Sequence, residues 1–78
     1  MSTFEVHALW DAEAGVWVAH STDIPGLVTE AHTWDELTAK LAVIGPELIS
    51  LNSVQIDPDG GEIHIITENA TVAVAVAA

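Results

Sequence analysis

Only one stretch of the chain, Thr33 to Leu51, is patterned as a helix, and alternating segments flank it on both sides. Trp34, Leu37, Leu41, Ile44, Leu48 and Leu51 recur at steps of three and four, which gathers them on one helical face. A single apolar stripe has to be buried against something, and the only other elements are strands. The chain is thereby held to a two-layer plan, one helix on one sheet. The start of the helix is marked by Thr33 and Glu36 at capping-box spacing, with Asp35 and Glu36 placed to suit the helix dipole. Pro46 lacks the amide that would bond the Ala42 carbonyl, and its ring crowds that turn. The reading therefore has the helix kinked there, or restarted with Gly45 as cap and Pro46 at its first position.

The strands follow from period-two patterning. Thr3 to Trp10 alternates Phe4, Val6, Ala8 and Trp10 with Glu5, His7 and Leu9. Asp11 to Gly15 is a turn, and Val16 to Ser21 is a second strand. A four-residue loop pairs Asp11 with Val16, so Trp10 faces Trp17, Ala8 faces Ala19 and His7 lies across from His20. Phe4, Val6, Ala8, Trp10, Trp17 and Ala19 then share one face. His7, Leu9, Val16, Val18 and His20 share the other, since a slip of one residue would invert a strand. Pro25-Gly26 reads as a type II turn, with Gly26 at the position that needs positive φ. A short third strand, Leu27 to Ala31, follows. After the helix come a loop, a fourth strand from Glu62 to Thr67, and a fifth from Thr71 to Ala77. Val72, Val74 and Val76 alternate there with Ala73 and Ala75, so neither face is polar; such a strand is covered on both sides or paired with another chain.

Composition narrows the class of function. A chain of 78 residues without cysteine is one domain, residues 1–78, with a small core that gains from oligomerisation. Half the residues are hydrophobic and the formal net charge is -11 with one cationic side chain, Lys40. Binding to phosphate backbones requires Lys and Arg to displace counterions, so no direct nucleic-acid contact is expected. A basic protein is the natural complement of such a field. Met1 to Glu5 has no basic start and no unbroken apolar run, and no segment reaches the length of a membrane span. The expectation is a cytoplasmic protein with no membrane contact, in keeping with the absence of thiols.

Residues that could carry chemistry are few. His7, His20, His32 and His64 are the metal-ligand candidates, but only His7 and His20 are brought together by the hairpin, and a resident metal needs three or four converging ligands. Asp11, Glu13, Asp23, Glu30, Asp35 and Glu36 could pair to hold magnesium. Asp11 and Glu13, however, lie in a turn, and Asp35 and Glu36 are accounted for by helix capping. No serine elbow or glycine-rich phosphate loop is present. Trp10, Trp17 and Trp34 suit a core better than a stacking platform. No catalytic, metal or cofactor site is expected and the chain is read as no enzyme. The residues assigned to partner binding are Asp11, Glu13, Asp23, His7 and His20. The surplus apolar strand surface points to a homodimer or higher oligomer.

The run from Ala8 to Ala19, the Asp23-Ile24-Pro25-Gly26-Leu27 turn with Val28 to Ala31, and the capped helix ending at Pro46 to Asn52 together resemble the small bacterial HicB-like domains, in particular a short subgroup catalogued as a domain of unknown function. The likeness covers Phe4 to Asn52. It implies an α+β fold, with an antiparallel sheet of four to five strands packed on one helix (β-β-β-α-β-β), a partial RNase H-like fold. It also implies an antitoxin role, binding and neutralising a small basic HicA-type toxin that cleaves messenger RNA. HicB proteins typically add a C-terminal DNA-binding module. Here Ser53 to Ala78 leaves room for only two strands, so no such module is expected. The alternative is an orphan oligomeric domain that binds a small ligand and has no toxin partner.

Overall fold

The computed structural model describes residues 1–77. Five strands and one helix follow one another as β1 (Ser2–Asp11), β2 (Val16–His20), β3 (Val28–Ala31), α1 (Trp34–Leu51), β4 (Gly61–Ile66) and β5 (Thr71–Val76). The order in the sheet is β3-β2-β1-β4-β5. The α+β plan and the element order agree with the sequence reading, but the sheet is mixed. β1 pairs with β4 in parallel, Phe4 opposite Ile63 and Val6 opposite Ile65, and the other three pairings are antiparallel. The cause is the helix. It carries the chain from β3 past β2 and β1, so that β4 enters beside β1 running in the same direction, and parallel neighbours require such a crossover.

The first hairpin has the register expected from its loop, with Trp10 opposite Trp17, Ala8 opposite Ala19 and His7 opposite His20. Asp11 closes the turn. Its Oδ1 accepts from the amides of Glu13 and Ala14 at 3.1 and 3.2 Å, a local Asx arrangement. At the next turn the Leu27 amide donates to the Ile24 carbonyl at 3.2 Å. Gly26 has φ +79°, the backbone that a type II turn requires.

Thr33 caps α1, its hydroxyl accepting from the Glu36 amide at 3.1 Å. The Glu36 carboxylate accepts in turn from the amide of His32, one residue before the cap. The helix runs unbroken to Leu51 through Pro46, so neither the restart nor a cap at Gly45 is found. Gly45 is instead buried against the sheet, where an added Cβ would stand 2.5 Å from Cδ1 of Ile63. The buried ridge is Leu37, Leu41, Gly45 and Ile49, with Ile44 and Leu48 half-buried. Leu51, which the sequence pattern puts in the stripe, is 80% exposed. Spaced by four, this ridge drifts around the helix relative to a stripe of alternating threes and fours.

The core lies between α1 and the sheet face formed by Phe4, Val6, Ala8, Ala19, Ile63 and Ile65, all buried. Ile24 and Leu27 close one end from the β2–β3 turn. The three tryptophans border this core. Trp17 stacks edge-on with both Trp10 and Trp34, with ring centroids at 5.6 and 5.0 Å. Trp17 and Trp34 pack on the core, whereas Trp10 is 49% exposed.

Candidate partner-binding face

Because α1 covers one side of the sheet, alternate residues of every strand point to the other side. The strand pairings place Val28, His20, His7, Ile66 and Thr71 in one row across that face. A second row holds Glu5, His64 and Ala73, and a third Glu30, Val18 and Leu9. Leu9 and Val28 are exposed. Val16 has the parity of this face but is buried outside the main core cluster.

The expected meeting of His7 and His20 is found. Their rings stack with centroids 5.8 Å apart and planes 23° from parallel. They line an open groove of about 570 Å³, with Leu9, Thr22, Ile66 and Thr67 among its other walls. Glu5 Oε2 lies 3.9 Å from His7 Nε2. Sequence patterning leaves His64 unplaced, yet it belongs to the same face: its Nε2 is 3.3 Å from Glu62 Oε1, and Glu5 lies across from it on β1. The signal that would have placed it is the helix between β3 and β4, which calls for a parallel return strand. Among the described residues no three His, Asp or Glu side chains converge as a metal cage.

The acidic candidates lie at the two ends of the first hairpin. Asp11 and Glu13 form its turn. Asp23 is at the opposite end, where Oδ2 accepts from the Glu5 amide at 2.8 Å. Ser21 completes this clip, its hydroxyl donating to the Glu5 carbonyl and accepting from the amides of Asp23 and Ile24. Six residue-to-residue steps along the strand lead from Glu5 to Asp11, roughly 20 Å at the usual rise. The five candidates thus form a strip along the hairpin, carboxylates at its ends and imidazoles between them. A second depression, of about 440 Å³, lies between the end of α1 and Val76; its walls, which include Pro46, Ile49 and Val54, carry no titratable side chain.

Positive charge is committed elsewhere. Lys40 Nζ donates to the Glu30 carbonyl at 2.7 Å. The amino group of Met1 lies 3.1 Å from Asp57 and 3.2 Å from Asp59.

The family described as Domain of unknown function (DUF1902) matches residues 3–76. No curated protein matches the chain. Among solved structures, the crystal structure of the hypothetical protein TTHA1013 from the extremely thermophilic bacterium Thermus thermophilus is similar to it. That structure shares 51% identity over 90% of this chain and 97% of its own, with a TM-score of 0.78.

Proposed function

We propose that this chain, which belongs to the DUF1902 family of domains of unknown function, works by binding a basic protein along its first hairpin and performs no chemistry itself. The observation that carries this reading is the distribution of charge. The net charge is -11, its one cationic side chain is held against a backbone carbonyl, and the uncovered hairpin face is bounded by Asp11 and Glu13 at one end and Asp23 at the other. Opposite fields accelerate encounter and set register. The partner is a small basic ribonuclease of the HicA type, which places the domain with HicB-like antitoxins and their partial RNase H-like fold. The likeness of the Ala8–Ala19 and Asp23–Leu27 segments to that family supports this identification.

The test is inhibition. Cleavage of messenger RNA by a HicA-type ribonuclease is measured with increasing amounts of this chain, and is expected to stop near equimolar addition. Asp11→Asn with Glu13→Gln is expected to slow association at low salt and to matter little near 1 M, where the Debye length is about 3 Å. Undiminished cleavage at excess chain refutes the antitoxin reading. A second reading, a small ligand held by His7 and His20, draws on the 570 Å³ groove between them; a thermal upshift with a small molecule, lost in His20→Ala, would favour it.

A further inference from the structure

The two edges of the sheet are built differently. β3 is four residues long, and just before it the Ser21 amide bonds the Leu27 carbonyl at 3.2 Å. Antiparallel alternation then turns the Glu30 carbonyl outward, where Lys40 Nζ occupies it. That edge is short, and of its two outward carbonyls, those of Val28 and Glu30, one is plugged by a charged side chain, a usual means of keeping other strands away. β5 has none of these guards. It is six residues long, Thr71–Val76, with no proline and no titratable side chain, and among the described residues no hydrogen bond from outside β4 reaches it.

The direction of its free groups is fixed by the β4–β5 turn. The Thr67 amide donates to the Ala70 carbonyl at 2.8 Å, so the alternation makes Ile65–Val72, Ile63–Val74 and Gly61–Val76 the bonded pairs. The amides and carbonyls of Thr71, Ala73 and Ala75 therefore point away from the sheet. The helix lies nearer β2 and β3 than β5, which leaves Val72 and Val74 only half-buried on the helix side.

We propose that β5 is a self-association edge, on which a second copy of this chain adds its own β5 antiparallel and joins two five-stranded sheets. A two-fold axis at Ala73 sets Thr71, Ala73 and Ala75 opposite Ala75, Ala73 and Thr71 of the second copy, so every outward amide meets an outward carbonyl. Charge selects this occupant. A basic partner finds no carboxylate on β5, whereas two copies each carrying -11 repel least where they meet through a strand that bears no charge. Such pairing also covers Val72 and Val74. It leaves the first hairpin, on the far side of β4, free for the partner of the proposed function.

Sedimentation of the chain across the micromolar range tests the assignment. Wild type is expected to move from the 8.2 kDa monomer to a species of twice that mass. Ala73→Pro removes only an outward amide, as an edge strand tolerates, and Ala73→Lys adds an edge charge. Both are expected to stay monomeric with unchanged circular dichroism. In wild type, hydrogen exchange at Thr71, Ala73 and Ala75 is expected to slow as concentration rises, which decides the matter should the variants unfold. A wild-type monomer throughout, variants that dimerise as wild type does, or exchange at these amides that ignores concentration each overturn the proposal.

Discussion

Gly45→Ala sets two known effects against each other at one atom. In an ordinary helix interior the change stabilises by about 0.8–1.0 kcal/mol, through reduced backbone entropy. Here the new Cβ would stand 2.5 Å from Ile63 Cδ1, far inside van der Waals contact. Cδ1 is the end of its side chain, but Ile63 is fully buried, so any swing displaces another core atom. Overpacking of this kind costs about 1–3 kcal/mol. The balance is a net loss of about 0–2 kcal/mol, or up to roughly 16 °C in Tm for a domain of this size. Ile63→Val alone deletes Cδ1 and is expected to cost about 0.5–1.5 kcal/mol. In the double variant the alanine methyl occupies the space that Cδ1 leaves, so the two changes are expected to be non-additive by more than about 0.5 kcal/mol in the favourable direction. Urea melts at one fixed protein concentration measure all four corners of the cycle. A single Gly45→Ala variant that gains the full helix-propensity increment, or a strictly additive cycle, would refute the claim that glycine is there for close approach.

Leu41→Ala is expected to cost about 2–5 kcal/mol by opening the core. Leu51→Ala, at a position 80% exposed, should change the urea midpoint little. Thr33→Ala removes the cap on the Glu36 amide and is expected to cost about 1 kcal/mol in the same melts. The carboxylates of Asp57 and then Asp59 raise the Met1 amino group above its ordinary value of 8.0. The stability this supplies is complete below pH 8.0 and is lost as pH rises through the higher folded value. Replacing both carboxylates with amides should flatten that alkaline decline in the urea midpoint, and a decline of unchanged size would refute the linkage.

Local rules carry the reading furthest where the structure is local. The register of the first hairpin, the type II turn at Gly26 and the Thr33 cap each depend on residues within a few positions of one another, and each is found. The direction of β4 depends on β1, a partner at the other end of the chain, and alternation within β4 is the same whether β1 runs with it or against it. Alternation leaves His64 unplaced for the same reason, since its neighbour Glu5 is supplied only by the parallel pairing, which the crossover helix, and not the strand pattern, signals. Gly45 and Pro46 look like an interruption when helix propensity alone is weighed. Contact with Ile63 reverses that reading, because a residue without Cβ lets the helix settle close to the sheet. Of the candidate site, the meeting of His7 and His20 is legible, because hairpin register fixes it. The span of roughly 20 Å between the carboxylates at its two ends emerges only once Asp23 is seen bonded to the Glu5 amide.

The contact between Lys40 and the Glu30 carbonyl has a practical consequence. Trypsin cuts after lysine and arginine, and this chain offers it a single bond, Lys40–Leu41. That bond lies in the middle of α1, next to a leucine that is wholly buried, so no protease can bind it in extended form while the helix is docked. Digestion therefore requires α1 to open, and the yield of fragments 1–40 and 41–78 counts the openings of one element. Where reclosing outpaces cutting, the rate reports the population of the open form. A ligand or partner that clamps the helix to the sheet would register as protection of this one peptide bond, with no label and no engineered reporter.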